Sequence, residues 1–540
     1  MPACRVRRRR RNRATHMQAR GERWRDAAGA AVAIGISAAV LWPVLSYPFQ
    51  YDELIHLYTL ANFGPLELLL TPHGGHLLFA SNWVYAPLYA LFGMWAPAYY
   101  ALALATHLLN VGVAWAVLHR LGGRRGLATV AAALWGSAAL HVGSVGWFAV
   151  YGQILLTTAV LWILLDAARL MRDGGRPTAA MRVRWAVLLV VAAGSFGFGL
   201  ALAALLPAAL YLMLEPRPRW PAVIGRLAVA AVAVAALYGA MQWLHGAVSN
   251  RPPLHGLATA AHRTARLADA PLAAGLFADY VAAGVAELAV GPGLRVEPAS
   301  LLSARTRPAP TPRIALASRL VALAWLAAFA VCLVRRPRPQ ARQALTVAAL
   351  GLSGYAMLAL WAVSSGRVDQ LVELAAISGR DLAAGIWDSQ IAAPRYHYLP
   401  PLLLLLATVR AAAPPAAGAT ARAIAALAAG WAAVVLATDG LAVRGHRPGW
   451  APVRLVERQL RRAAAATPPG ETLRLENDPV PIPFAGRDAT LPGRAAVALL
   501  LFPDGQVDGR RVRFVERDPA LLAVLRAPPP RPIAGLIVEP

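Results

Sequence analysis

Apolar residues in this chain are gathered into long runs, separated by short segments rich in arginine, glycine and proline. A helix needs about 20 apolar residues to cross a hydrocarbon layer ~30 Å thick. About eleven runs reach or approach that length: 27–47, 98–118, 127–142, 150–170, 184–198, 200–214, 222–244, 315–334, 343–363, 397–412 and 421–442. The pattern predicts an α-helical polytopic membrane protein with about eleven transmembrane helices.

One boundary between runs is ambiguous. The stretch "SFGFG" (195–199) separates the runs 184–198 and 200–214. It is either a break between two short helices or a glycine packing site within one long helix, and the sequence leaves both open.

The first run has a strongly basic tail, with ten arginines before residue 26. A signal peptide is the alternative interpretation, but the run 27–47 is too long for one and no clear small-residue cleavage site follows it. We therefore interpret it as a signal anchor with residues 1–26 in the cytoplasm. Alternate threading then places arginine-rich loops such as "HRLGGRRG", "EPRPRW" and "RRPRPQAR" in the cytoplasm, as the positive-inside rule requires.

The same threading divides the rest of the chain between the membrane and the outside. The transmembrane domain covers 27–443, and its extracytoplasmic loops are 48–97, 246–312 and 364–395. In the second loop, residues 255–288 predict surface helices above a cavity. Residues 444–540 shift to proline, arginine and acids with short apolar runs and turn signals, which predicts a small extracytoplasmic α/β appendage.

Composition agrees with a membrane protein and limits its partners. The chain is 58% hydrophobic and only 15% charged, whereas a soluble domain has about a quarter of its residues charged. The net charge of +26 arises from 53 basic and 27 acidic residues, and every basic residue is arginine. These arginines lie in breaks between apolar runs rather than on one basic face, so no nucleic-acid partner is predicted. Two cysteines, Cys4 and Cys332, predict no disulfide framework.

Two acids follow directly on the first run, in "YDELIHL" (51–57). Apolar residues there suit an amphipathic helix, on which Glu53 and His56 share a face. A lone acid at this point would simply be a solvated anchor that ends the helix. The pair Asp52 and Glu53, with a nearby imidazole, is instead a candidate site.

The loop continues with histidines and aromatic rings. His73 and His76 bracket a Gly-Gly turn, and Trp83, Tyr85 and Tyr89 follow. Such rings are favoured at the water–lipid border, so the segment is predicted to lie in the interface. The histidine spacing alone makes only a weak metal site, and capping of the turn is the alternative.

These stretches together resemble the GT-C superfamily of glycosyltransferases. "YDELIHL" is similar to the Asp-Glu motif of protein O-mannosyltransferases, and three stretches resemble spans of bacterial relatives: "THLLNVGVAWAVLHRLGG" (106–123), the segment 140–165 around Trp147, and "RYHYLP" (395–400). The resemblance covers about residues 28 to 410. It departs from the family pattern after His76, around Trp147 and at "SFGFG", where charged residues common in relatives are missing.

The resemblance implies a function. Such an enzyme takes a sugar from a polyprenyl-phosphate donor and transfers it, with inversion and without a metal or cofactor, to a hydroxyl of a glycan, lipid or protein acceptor on the outer face of the bilayer. Asp52 would deprotonate the acceptor, and Glu53 would position the acceptor or orient the base. Arg395 and Tyr396 would bind the donor phosphate, with His56, His73 and His76 in support.

Other interpretations of these residues remain. Arg395 is also placed where arginines extend to the interface merely for solvation, and His107 and Asn110 suit hydrogen bonds between helices. A transporter or lipid flippase is a competing function, against which stand the missing internal repeat and the few acids within the spans. A non-catalytic membrane scaffold is the third possibility.

Overall fold

A computed structural model describes most of the chain. The described residues are 22, 24–49, 51–70, 78–122, 124–248, 269–291, 311–364, 391, 396–412, 419–445, 452–476, 493–502, 504–515 and 537–539.

Helices dominate the described part of the first 445 residues. They are α1 (Trp24–Ser46), α2 (Tyr51–Phe63), α3 (Pro65–Leu70), α4 (Phe79–Phe92), α5 (Ala96–Gly122), α6 (Arg125–Ser137), α7 (Val142–Val145), α8 (Tyr151–Asp173), α9 (Ala179–Ala193), α10 (Gly197–Leu214), α11 (Trp220–Val248), α12 (Ala270–Val290), α13 (Thr311–Val334), α14 (Arg338–Ser364), α15 (Pro400–Ala411) and α16 (Ala419–Gly445). Short 3-10 turns lie at Trp42–Ser46, Ala139–His141 and Phe148–Val150.

Eight of the described helices are long and apolar enough to cross a membrane, and α6 with the bent segment that follows it would make nine. The protein is therefore an α-helical polytopic membrane protein, which confirms the predicted fold class. The number of spans differs from the predicted eleven. Two predicted spans are short, because α9 has 15 residues and α15 has 12. The predicted span 127–142 is bent by 44° at Ala138.

Helix α12 differs from its sequence prediction. Residues 255–288 were expected to form surface helices, yet α12 is long and apolar enough to cross a membrane and packs against α13, α14 and α15. The charges that favoured a surface helix are accommodated in the structure. Both carboxylate oxygens of Asp279 accept hydrogen bonds from the Arg319 guanidinium, at 2.8 and 3.0 Å, and Glu287 is buried.

The stretch "SFGFG" is a break between helices. Helix α9 ends at Ala193 and α10 begins at Gly197. The turn between them presses against the first turn of α8, where an added Cβ at Gly152 would lie 1.7 Å from the carbonyl oxygen of Ser195. Only a residue without a side chain allows this approach, as is common where membrane helices pack closely.

Gly152→Ala is therefore expected to destabilise the protein strongly. The new methyl group meets a backbone carbonyl, which cannot rotate away, so we expect a loss of at least about 3 kcal/mol in the free energy of unfolding. Gly225→Ala is the matched control, because Gly225 lies in α11 with no heavy atom within 4 Å of its added Cβ. Thermal unfolding in detergent measures both, and a Gly152→Ala protein as stable as the control would contradict this packing.

Arginines cap helices at the end of the bundle opposite to α2. Arg410 donates to the carbonyl of Leu121 at 3.2 Å, Arg342 to that of Glu215 at 2.6 Å, and Arg336 to that of Ala411 at 2.9 Å. These carbonyls lie at the C-terminal ends of α5, α10 and α15, where backbone acceptors lack intrahelical donors. Guanidinium groups thus satisfy backbone acceptors at this end of the bundle.

The described part of the C-terminal region has mixed α/β structure, as predicted. It contains α17 (Pro452–Ala466), β1 (Leu473–Glu476), α18 (Gly493–Leu501), β2 (Gln506–Val507), β3 (Arg510–Val515) and β4 (Ile537–Glu539). Strand β3 pairs in parallel with β1 and β4 and antiparallel with β2. Helix α18 packs against α2, so this unit lies at the same end of the bundle as the acidic pair.

Candidate functional site

Glu53 is a buried carboxylate that joins three parts of the bundle. It lies in the first turn of α2 and has no exposed surface. The hydroxyl of Tyr100 in α5 donates to its Oε1 and Oε2 atoms at 3.1 and 3.0 Å, and the backbone N–H of Phe148 donates to Oε1. Donors of this kind offset the cost of removing a carboxylate from water. Glu53 therefore fixes where α2 begins.

Asp52 stands in a different environment although it is the neighbouring residue. One residue along a helix turns the side chain by about 100°, so Asp52 cannot enter the pocket of Glu53, and it is only partly buried. Both acids lie in the first turn of α2, where the helix dipole favours negative charge. The anchored residue thus holds its more accessible neighbour in place.

Aromatic rings surround this end of α2. The Tyr85 ring of α4 meets the rings of His56 and Phe148 edge to face, with centroids 5.0 and 4.9 Å apart. Tyr99 packs edge-on against Phe148 at 5.3 Å. On the other face of α4, Trp83 is exposed. Helix α4 therefore buries Tyr85 beside the acidic pair while presenting Trp83 outward, as an interfacial helix would.

Electrostatics keep the Tyr85 phenol neutral. Burial raises the pKa of Tyr85 well above its usual value of 10.0, and the nearby charge of Glu53, the Tyr99 phenol and the charge of Asp52 raise it further. A negative phenolate is disfavoured both by lost hydration and by neighbouring carboxylates.

The stretch "RYHYLP" is anchored inside the bundle through its tyrosine at 398. The Nε2 atom of His107 lies 2.7 Å from the Gly136 carbonyl oxygen and must donate to it, so in the neutral ring Nδ1 accepts from the Tyr398 hydroxyl at 2.6 Å. Trp135 donates through Nε1 to the Tyr398 carbonyl at 3.0 Å. In this structure His107 connects helices, which was the alternative considered for it.

The two preceding residues are also buried. His397 contacts the Ile391 carbonyl oxygen through Nε2 at 2.6 Å and the Tyr355 hydroxyl through Nδ1 at 3.0 Å. Tyr396 packs edge-on against Tyr280, with ring centroids 6.0 Å apart. Both ring nitrogens of His397 thus have partners within the chain.

The acidic pair and the 396–398 stretch share one helix. Tyr100 binds Glu53 and His107 binds Tyr398, and seven residues along α5 correspond to about 10 Å. Glu53 and Tyr398 therefore both hydrogen-bond to the first half of α5. Arg395, His73 and His76 lie outside the described residues, so their roles stay predictions. His56 is buried against Tyr85.

Sequence reasoning missed the groups that hold Glu53. Tyr99 and Tyr100 are adjacent tyrosines at the start of an apolar run. A tyrosine hydroxyl usually finds a hydrogen-bond partner when it is buried, and this was the available sign in the sequence of a bond to Glu53. The N–H of Phe148 has no signal in the sequence, since any residue but proline offers one. Among the described residues no group of three or more His, Cys, Asp or Glu side chains is placed to hold a metal ion.

Comparisons with known proteins give low similarity. No family model and no curated protein matches the chain. Among solved structures, ArnT from Cupriavidus metallidurans bound to undecaprenyl phosphate is 13% identical with a TM-score of 0.35, over 93% of this chain and 88% of that chain. The apo form of ArnT is 13% identical with a TM-score of 0.30, over 97% of this chain and 90% of that chain. At this similarity, no site residue of ArnT is assigned to a position of this chain.

Proposed function

We propose that this protein is a membrane glycosyltransferase of the GT-C kind. It moves a sugar from a polyprenyl-phosphate donor to an acceptor hydroxyl on the extracytoplasmic face. The observation that carries the proposal is the arrangement of the acids: Glu53 is buried and bound by Tyr100 and the Phe148 N–H, while the adjoining Asp52 is partly accessible. A rigidly mounted, accessible carboxylate at one end of an apolar bundle suits a general base.

The proposed reaction is a single displacement at the anomeric carbon. Asp52 accepts the proton of the acceptor hydroxyl as its oxygen attacks the anomeric carbon. The bond between that carbon and the phosphate oxygen breaks, and polyprenyl phosphate leaves with the bonding electrons. One in-line displacement inverts the anomeric configuration. Arg395 neutralises the charge that grows on the leaving phosphate, because its planar guanidinium matches phosphate oxygens, and Tyr396 assists it.

The remaining groups have supporting roles in this proposal. Glu53 positions Asp52, and we assign supporting roles to His56, His73 and His76. The N-terminus is cytoplasmic and the C-terminal unit is extracytoplasmic, which agrees with the packing of α18 against α2. That contact makes the C-terminal unit a suitable place to bind the acceptor.

A transfer assay tests the function. Purified protein in lipid nanodiscs is given labelled polyprenyl-phosphate mannose or glucose together with hydroxyl acceptors, namely a glycan, a lipid and a serine-containing peptide. We expect labelled sugar on one acceptor with inverted configuration. Asp173→Asn is the control for protein quality, since this exposed acid lies at the far end of α8 and pairs with Arg172. Movement of intact donor between leaflets without transfer would instead identify a flippase.

A further inference from the structure

The buried hydroxyl of Tyr85 has no hydrogen-bond partner within the part of the chain that the structure describes. The side chain is 1% exposed. Leaving a buried hydroxyl without a hydrogen bond destabilises the folded state. Phenylalanine would fill the same space without that cost. The Tyr85 hydroxyl is therefore available for a hydrogen bond that the described residues do not provide.

The surroundings of Tyr85 differ from those of the two tyrosines beside it. Tyr99 donates to the Gly93 carbonyl at 2.8 Å, and Tyr100 donates to Glu53 and to the Pro48 carbonyl. Both hydroxyls thus serve the fold. Among these three hydroxyls, only that of Tyr85 lacks such a bond to the described residues. It is also the one whose pKa is raised by the charges of both Glu53 and Asp52.

We propose that the Tyr85 hydroxyl binds a hydroxyl group of the donor's sugar. This inference rests on the proposed function and names the part of the donor that this side of the site recognises. Two neighbouring carboxylates disfavour a phosphate oxygen at this position, because like charges repel strongly at low dielectric. A neutral phenol and a sugar hydroxyl can each donate and accept, so they pair without placing new charge in the pocket.

The rings around Tyr85 suit the same ligand. Phe148 and Tyr99 present apolar ring surfaces next to it, and such surfaces pack against the C–H groups of a sugar. His56 rests edge-on against Tyr85 and lies one turn after Asp52 on α2. Because the Tyr85 oxygen is sealed from solvent, binding of a sugar there requires one of these rings to move.

Tyr85→Phe tests this inference, because it keeps the ring and removes only the hydroxyl. Full-length protein in detergent is compared as wild type, Tyr85→Phe and Tyr99→Phe, first by thermal unfolding without ligand. We expect Tyr85→Phe to unfold at the same or a higher temperature than wild type, while Tyr99→Phe unfolds at a lower one. A loss for Tyr85→Phe as large as that for Tyr99→Phe would show a structural role and overturn the inference.

Binding then identifies the group that is recognised. The probes are polyprenyl-phosphate mannose, polyprenyl-phosphate glucose and bare polyprenyl phosphate, and the readout is the dissociation constant. We expect Tyr85→Phe to bind the sugar-bearing lipid that wild type prefers about 5- to 13-fold more weakly, the cost of one neutral hydrogen bond. Its affinity for bare polyprenyl phosphate should be unchanged. An equal loss for the bare lipid, or no loss at all, contradicts the inference.

The outcomes separate this inference from the proposed function. If wild type binds and transfers the sugar while Tyr85→Phe binds it equally well, only the role of Tyr85 is wrong. If wild type binds none of the sugar-bearing probes, the inference and the glycosyltransferase proposal fail together.

Discussion

Asp52→Asn is expected to lower the rate of sugar transfer by about 10²–10⁴-fold, the usual contribution of a general base. The amide has the size of the carboxylate but cannot take the acceptor proton. We expect the stability of the fold to be nearly unchanged, because Asp52 is partly exposed and Glu53 supplies the hydrogen bonds that hold α2. We therefore expect the donor to bind Asp52→Asn with nearly wild-type affinity, so that the loss is in kcat.

The comparison needs protein of matched quality. Asp52→Asn and Asp173→Asn both remove one carboxylate, and Asp173 is exposed at the far end of α8. Transfer is measured with saturating donor and acceptor in nanodiscs. Equal rates for Asp52→Asn and Asp173→Asn would remove Asp52 from the mechanism, and a loss confined to KM would make it a binding residue instead of a base.

Glu53→Ala is expected to reduce the free energy of unfolding by about 2–4 kcal/mol. The substitution leaves a cavity and removes the carboxylate that accepts from the buried Phe148 N–H, and an unsatisfied buried donor is costly. The Tyr100 hydroxyl is affected less, since the Pro48 carbonyl lies 3.0 Å away as a second acceptor. Thermal and denaturant unfolding in detergent measure the effect.

Glu53→Gln is the matched comparison for this site. Glutamine has the same shape and keeps one carbonyl oxygen for the Phe148 N–H, so it should lose less stability than alanine. Transfer should fall in Glu53→Ala as well, because Asp52 is no longer held in place. If Glu53→Ala unfolds like wild type, the carboxylate does not fix α2 and the positioning role is wrong.

The spans could be predicted largely from apolar length, and the exceptions have physical causes. Runs such as 27–47, 98–118 and 150–170 correspond to helices α1, α5 and α8. Helix α12 was missed because Asp279 and Glu287 look like surface residues in the sequence. Their partners and burial depend on distant elements, including Arg319, which lies 40 residues further along the chain.

The site was predictable only in part for a similar reason. The acidic pair could be found because local composition changes abruptly where the first apolar run ends. The groups that hold it could not, since Tyr100 and Phe148 follow Glu53 by 47 and 95 residues and are brought there by the packing of the bundle. Tyr85 was predicted as an interfacial ring, yet its buried hydroxyl is visible only in three dimensions.

The proposed mechanism requires Asp52 and Arg395 to border one cavity that holds a lipid-linked sugar. Cross-linking tests it most directly, in a protein where Cys4 and Cys332 are replaced by serine and cysteines are placed at 52 and 395. A bis-maleimide long enough to span a bound sugar should join the two positions within one molecule. A folded protein in which 52 and 395 never cross-link, but 52 and 85 do, would contradict the account.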